Sequence, residues 1–226
     1  MKILGHRGGR GEGWPTENSV DAFRRALAEG ADGVELDVRL SKGGEPVLWH
    51  DPKLADGSVV ARSPRGSLAT LDEALEACRG KIVNVEVKAD VPRRVALLRA
   101  VARSIARARD VEVVMSSFDP GLVLAMSVLS PRTPRAILVG DRTARLAVAL
   151  PRAMRRFVVA AHVQDGAITP RVVERVRALG LRLCAWTVND LDRGRALAAM
   201  GVEWVITDRP EIFLRDDCRS PGRPGV

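Results

Sequence analysis

Short apolar segments alternate along the chain with longer segments in which apolar residues recur every three or four positions. The first kind predicts strands and the second predicts helices. The predicted strands cover residues 2–5, 33–38, 46–49, 82–87, 111–116, 135–139, 157–161, 181–186 and 203–206. This alternation predicts an α/β fold, and about eight repeats favour a closed (β/α)8 barrel over an open sheet.

Residues typical of helix ends flank three of the helical segments. SVDAFRRALAEG offers Ser19 as an N-cap and Gly30 as a C-terminal stop, with Val20, Phe23 and Leu27 on one face between them. TLDEALEACRG and TPRVVERVRALG share the pattern of a threonine, an apolar stripe and a terminal glycine. Helices are therefore expected after the first, third and seventh predicted strands.

Nine predicted strands are one too many for an eight-stranded barrel. The residues between Val38 and Pro46, RLSKGGE, are too few for a helical crossover, which needs about a dozen residues. The barrel is therefore expected to be irregular between its second and third strands. Residues 51–70 lack periodicity and contain Gly, Pro and Ser, which predicts a long rim loop.

The length of 226 residues fits a single domain, expected over residues 1–214 and followed by a flexible tail over 215–226. No apolar run approaches the ~20 residues of a membrane span, and the first strand begins too early to leave room for a signal peptide. A cytoplasmic location is expected. Cys78, Cys184 and Cys218 are odd in number and widely spaced, which favours reduced, structural thiols.

The chain is strongly basic, with a net charge of +8 and a pI near 10.3. Such a charge is compatible with nucleic acid, a membrane surface, or an Arg-rich composition with an anionic substrate. Only 5 of the 36 basic residues are lysine, the arginines are scattered, and tyrosine is absent. These features favour a compositional origin of the charge and a small-molecule partner over nucleic acid; they leave the oligomeric state open.

Carboxylates occur at alternate positions of two apolar strands. Glu35 and Asp37 lie two residues apart in GVELDV and therefore share a face, and Glu86 and Lys88 repeat this spacing in VNVEVK. Burying such charges costs several kcal/mol unless a metal or a counter-charge compensates. A surface pair on an edge strand is the alternative. Oxygen ligands favour calcium or magnesium, and manganese is compatible.

Two histidines end predicted strands next to charged residues. His6 is followed by Arg7, and His50 is followed by Asp51, which could orient the imidazole. This arrangement favours an acid–base pair over buried structural histidines. His162 has no such neighbour, and a structural role is expected for it.

Arg7 and Lys88 suit two compatible roles, as ion-pair partners of the carboxylates or as ligands of an anionic substrate. Trp186, at the end of a predicted strand, fits either the core or the pocket wall. The glycine-rich segment after Arg7 lacks the Gly-Lys-Ser/Thr of a P-loop and the spacing of a dinucleotide site.

Several segments taken together resemble the glycerophosphodiester phosphodiesterase family in order and spacing. They run from His6 to about Pro210 and read HRGGRGEGWPTENSVDAF, GADGVELDVRLSKGGEPVLWHDP, NVEVK, SSF, AWTVN and GVEWVITDRP. The resemblance implies a TIM-type barrel that hydrolyses glycerophosphodiesters to glycerol 3-phosphate and an alcohol with one divalent cation. It assigns acid–base roles to His6 and His50.

The resemblance also implies roles for the remaining site residues. Metal ligation falls to Glu35, Asp37 and Glu86, phosphate binding to Arg7 with Lys88 beside it, and support of the rim to Glu17 and Asn18. One departure from the family is a short insertion, because about twenty residues separate Asp51 from the TLDEAL helix. The pocket is then more open, which predicts access for bulkier lysophospholipid-like diesters or weaker substrate binding.

Two rival functions are compatible with the same residues. A phospholipase-like lyase or a lysophospholipase D-type phosphodiesterase would use this rim and release a cyclic or a lyso-phosphate product. A catalytically idle barrel that binds nucleic acid through its basic surface is the rival from another class, and it would show salt-sensitive binding without diesterase activity.

Overall fold

The computed structural model of the chain describes residues 1–140 and 152–214. The predicted tail and Cys218 lie outside these ranges. Within them, nine strands form one sheet. They are β1 Lys2–His6, β2 Gly33–Leu40, β3 Pro46–Leu48, β4 Ile82–Val87, β5 Glu112–Ser117, β6 Arg135–Val139, β7 Ala160–Gln164, β8 Arg182–Trp186 and β9 Trp204–Thr207.

Eight of these strands close into a parallel barrel. β1 pairs in parallel with β2 on one side and with β9 on the other, while the remaining pairings run β9-β8-β7-β6-β5-β4-β2. Within the described residues, α-helices lie in the connections between successive barrel strands other than the one from β6 to β7, which is described only in part. The predicted (β/α)8 TIM-type barrel is therefore confirmed.

The predicted irregularity between the second and third strands is a β-hairpin. β3 pairs antiparallel with β2, with Val38 opposite Leu48 and Leu40 opposite Pro46, and has no place in the barrel wall. The short connection turns at Gly44, whose φ of 86° favours glycine. This pairing also extends β2 two residues beyond its predicted end.

The prediction for β7 is displaced by three residues. The backbone N–H groups of Phe157 and Val158 donate to the carbonyl of Met154, so these residues belong to a turn. The Val159 N–H then donates to the Arg135 carbonyl, and the pairing of β7 with β6 begins at Ala160. An apolar run alone did not separate the turn from the strand that follows it.

The three helices that the sequence predicts begin at their predicted caps. Ser19 and Thr169 each cap a helix, and Thr70 forms a capping box with Glu73. Gly30 ends the first helix with a φ of 106°. The helices are α1 Val20–Glu29, α2 Leu71–Ala77, α3 Arg94–Arg107, α4 Pro120–Leu129, α5 Pro170–Ala178, α6 Leu191–Ala199 and α7 Pro210–Leu214.

The core has an outer and an inner part. The outer part fills the space between strands and helices and includes Phe23, Leu36 and Phe213, each fully buried. The inner part consists of strand residues such as Leu4 and Val114, which fill the barrel itself. No helix of the described residues is long and apolar enough to cross a bilayer.

Candidate active site

The carboxyl ends of the barrel strands bring the predicted site residues to one rim. Parallel register places His6 beside Glu35 and Asp37 beside Glu86, on three adjacent strands. Because alternate residues of a strand share a face, these side chains point inward, above the apolar residues of the barrel interior.

Three carboxylates form a compact cluster at this rim. One oxygen from each of Glu35, Asp37 and Glu86 lies within 4.8 Å of the others. Glu35 and Asp37 are buried, and 12% of the Glu86 side chain is exposed. Oxygen ligands at this spacing fit a hard divalent cation, so the donor set agrees with the sequence prediction.

Without a cation, keeping all three carboxylates ionised in this cluster is unfavourable. Burial raises the pKa of Glu35 well above its ordinary value, and repulsion from Asp37 and Glu86 adds to the effect. Burial also raises the pKa of Glu86, although Lys88 opposes it. Burial alone would raise the pKa of Asp37, but Lys88 and Arg7 outweigh it and lower that pKa.

Two cations partly neutralise the cluster. Lys88 Nζ donates to Glu86 Oε1 at 2.6 Å and lies 2.6 Å from Asp37 Oδ1. Arg7 Nε lies 3.0 Å from Asp37 Oδ2. Two cations against three carboxylates leave an excess of negative charge, which a divalent cation would reverse.

The segment that follows β1 places Arg7 above the cluster. Arg7 adopts a φ of 54°, a left-handed conformation that strains a residue with a side chain. This turn directs the Arg7 backbone N–H to Glu35 Oε2 at 3.1 Å, and the guanidinium donates to Glu17 at 2.7 Å. The next residue, Gly8, has a φ of 95°, and an added Cβ would lie 2.7 Å from Ala22.

Asn18 holds Asp37 from two directions. Its Nδ2 donates to Asp37 Oδ2 at 2.9 Å, and its Oδ1 accepts the Asp37 backbone N–H at 3.0 Å. The two predicted supporting residues, Glu17 and Asn18, thus contact Arg7 and Asp37 respectively. Both contacts fix the direction of a charged side chain at the rim.

His6 is oriented by the carboxylate of Asp208, which was not predicted as a site residue. Its Nδ1 lies 2.7 Å from Asp208 Oδ1, and its Nε2 lies 3.8 Å from Glu35 Oε2. Asp208 also accepts hydrogen bonds from Arg10 Nε and Asn189 Nδ2, each at 2.8 Å. Burial would raise the pKa of Asp208, but the hydrogen bond from His6 and those from the other donors lower it strongly.

Because the ionised Asp208 can only accept hydrogen bonds, the proton of a neutral His6 is on Nδ1. The unprotonated Nε2 then faces the carboxylate cluster. This is the arrangement that a general base requires.

His50 lies at the more open side of the rim. Its Nδ1 is 2.8 Å from Asp51 Oδ1, but 40% of the His50 side chain and 69% of the Asp51 side chain are exposed. The buried Arg39 fixes the backbone instead, donating through Nε and Nη2 to the His50 carbonyl at 2.9 and 2.7 Å. Arg39 also pairs with Asp90 at 2.9 Å.

Trp186 lies at the wall of the site. It lines a cavity of about 20 Å³ together with His6, Glu35 and Glu86, and its ring meets Phe118 edge-on at 5.5 Å. A cavity of this size accepts a water molecule or an ion.

His162 is separate from this network. It is fully buried on β7, its ring nitrogens have no hydrogen-bond partner among the described residues, and its ring lies 6.3 Å from that of Trp204. Burial lowers its pKa to about 3, so it is neutral. Cys78 and Cys184 are buried, free thiols.

Four polar residues of this site were not identified from the sequence. Asp208 and Asn189 follow β9 and β8, so the rule that polar residues after barrel strands reach the rim could have identified both. Arg10 lies in the glycine-rich segment after His6. Arg39 lies inside a strand, and no local pattern distinguishes it.

A closed parallel barrel with carboxylates and histidines at its C-terminal rim has the architecture of TIM-barrel enzymes. The model of the glycerophosphoryl diester phosphodiesterase family matches residues 6–85 and 61–212. The chain belongs to this family and is a phosphodiesterase.

Individual relatives agree along nearly their whole length. The glycerophosphodiester phosphodiesterase of Caldanaerobacter subterraneus is 27% identical, over 94% of this chain and 96% of the relative. A solved glycerophosphodiester phosphodiesterase from Thermotoga maritima is 28% identical, with a TM-score of 0.78 over 94% and 96% of the two chains. An Oleispira antarctica phosphodiesterase, solved with its product sn-glycerol-3-phosphate, shares the fold with a TM-score of 0.83 at 22% identity over 95% and 96%.

Proposed function

We propose that this chain hydrolyses glycerophosphodiesters to glycerol 3-phosphate and an alcohol, using one divalent cation held by Glu35, Asp37 and Glu86. The observation that carries the proposal is the cluster of these three carboxylates within 4.8 Å, directly beside His6. Family membership and the product bound to the Oleispira antarctica relative support the substrate class.

The donor set favours calcium or magnesium, and manganese is compatible, since all three ligands are carboxylates. When bound, the cation supplies positive charge that stabilises the phosphoryl oxygens as they gain negative charge. We assign the non-bridging oxygens of the phosphate to Arg7, with Lys88 beside it. Glu17 accepts a hydrogen bond from the Arg7 guanidinium and so limits its movement.

The two histidines carry the proton transfers. His6 presents Nε2 to the cluster because Asp208 holds Nδ1, and His50 presents its second nitrogen from the open side of the rim. One histidine accepts the proton of the nucleophile, and the other donates a proton to the departing alkoxide, which is a poor leaving group unless protonated. Trp186 and Phe118 would contact the organic part of the diester.

Two nucleophiles fit this arrangement, water and the 2-hydroxyl of the glycerol moiety. Attack by water gives glycerol 3-phosphate directly. Attack by the 2-hydroxyl expels the alcohol and gives a cyclic phosphate, which one water molecule must open in a second step. Phosphorus NMR of the reaction mixture distinguishes the two routes and tests the lyase alternative, for which a cyclic phosphate is the final product.

Single substitutions test the assignment. His6→Ala and His50→Ala are each expected to lower turnover by about 10²- to 10⁴-fold while circular dichroism stays unchanged. Glu86→Gln is expected to weaken activation by the divalent cation, whereas Glu76→Gln, a change at the exposed surface of α2, serves as the control. Full activity in either histidine variant would refute the proposed roles.

A further inference from the structure

Exposed apolar side chains concentrate on two neighbouring helices. Six large apolar residues of the described chain are 39% or more exposed, and four of them belong to α3 and α4: Val95, Leu124, Val128 and Leu129. Val128 is 77% exposed. The inner side of α4 is also apolar, with Leu122, Val123 and Met126 buried. A helix that is apolar on both sides has a second surface available for burial.

Positive charge lies beside these apolar residues. Residues 91–109, which contain α3, include six arginines and no Asp or Glu. Arg99 and Arg103 follow Val95 at intervals of four residues, so the three share one exposed side of α3. Neither arginine has an ion-pair partner in the part of the chain that the structure describes.

The two helices pack against each other on the outside of the barrel. A groove of about 610 Å³ lies between their C-terminal ends, and apolar side chains such as Ile105 and Leu129 line it together with Arg132. Because α3 and α4 are neighbours, their exposed residues lie on adjacent parts of the surface. We call these residues the α3–α4 face: Val95, Arg99, Arg103, Leu124, Val128 and Leu129.

We propose that the α3–α4 face docks the protein on an anionic lipid bilayer. Leu124 and Val128 would enter the boundary between headgroups and acyl chains, while Arg99 and Arg103 meet the lipid phosphates. A second copy of the chain fits this face less well, because a symmetric contact would bring unpaired arginines together without carboxylates to neutralise them. Docking is independent of the catalytic rim and of the function proposed for it.

Sedimentation of the full chain with lipid vesicles tests the proposal. The protein is expected to bind vesicles of phosphatidylglycerol and phosphatidylcholine, to bind phosphatidylcholine alone much more weakly, and to dissociate at high salt. The double variant Arg99→Gln/Arg103→Gln should lower the partition coefficient about 30-fold. Leu124→Ser/Val128→Ser should lower it at least about tenfold.

A charge-matched control variant distinguishes binding through the α3–α4 face from binding that depends only on the net charge of the chain. Arg24→Gln/Arg195→Gln removes the same charge from α1 and α6, where both side chains are exposed, and should keep vesicle binding within a few-fold of wild type. All three double variants should hydrolyse a water-soluble diester at the wild-type rate, because none of the substituted residues lies at the rim.

Three outcomes would overturn the proposal. One is the absence of binding to anionic vesicles, and another is an equal loss of binding in the control variant. The third is a concentration-dependent dimer in analytical ultracentrifugation that Leu124→Ser/Val128→Ser abolishes, because this result would assign the face to self-association.

Discussion

Asp208→Asn tests how the site orients His6. The substitution keeps the size of the side chain but replaces a carboxylate, which only accepts hydrogen bonds, by an amide with one donor group. In the structure all three side-chain partners of Asp208 are donors, at 2.7 to 2.8 Å: His6 Nδ1, Arg10 Nε and Asn189 Nδ2. Whichever way the amide turns, one donor faces another donor.

The expected loss of catalytic rate in Asp208→Asn follows from the strength of the hydrogen bond between His6 and Asp208. A hydrogen bond to a charged group contributes about 1.5 to 3 kcal/mol, which corresponds to about 10- to 150-fold in rate. We expect this loss mainly in kcat, because Asp208 acts through His6 and has no assigned contact with the substrate. Steady-state kinetics on glycerophosphocholine with saturating cation measure it.

Asp51→Asn is the matched control, because Asp51 stands in the same relation to His50 at 2.8 Å. Its side chain is 69% exposed, so water can replace it, and we expect a loss of less than about threefold. Activity of Asp208→Asn within threefold of wild type would refute the orienting role. An equal loss in both variants would instead refute the argument that burial makes the Asp208 contact stronger than the Asp51 contact.

Three further predictions concern buried polar residues. Lys88→Met should destabilise the protein in EDTA by about 3 to 5 kcal/mol in thermal unfolding, with a larger recovery on addition of a divalent cation than wild type shows; the exposed Lys42→Met should do neither. Arg39→Met should lower kcat about tenfold, because the His50 carbonyl loses its hydrogen bonds. Urea unfolding checks that the variant is still folded under the assay conditions, and an unchanged kcat would contradict the prediction. The pKa of His162 is lowered from 6.5 to about 3. Below pH 6.5 the unfolded chain therefore binds a proton that the folded chain does not, and the free energy of unfolding decreases by about 1.4 kcal/mol for each pH unit of acidification. His162→Leu should remove this contribution, which is about 2 kcal/mol between pH 6.5 and pH 5 by urea unfolding; an unchanged pH dependence would show that His162 is not the group responsible.

The barrel was predictable because each strand can be identified from a pattern within a short segment of the sequence. Each buried strand is a short apolar run. The short RLSKGGE connection excluded a helical crossover, and the structure has the β2–β3 hairpin at this position. Residue spacing also placed Glu35 and Asp37 on one face. The boundary of β7 was wrong because Phe157 and Val158 are as apolar as the strand after them, and only hydrogen bonding to Met154 separates the turn from the strand.

The contacts within the site were less predictable, because they join distant parts of the chain. The hydrogen bond between His6 and Asp208 spans 202 positions, and only closure of β9 onto β1 brings the two together. The sequence favoured Asp51 as the partner of a histidine because it is adjacent to His50. His50 and Asp51 do form a hydrogen bond. The contact between His6 and Asp208 is more buried, however, and therefore fixes the orientation of His6 more firmly.

Metal-dependent release of glycerol 3-phosphate from glycerophosphocholine tests the central claim most directly. Protein stripped with EDTA should release none, and calcium, magnesium or manganese should restore release in wild type but much less in Glu86→Gln, with Glu76→Gln behaving as wild type. Undiminished release in EDTA, or no release with any of the three cations, would contradict the account.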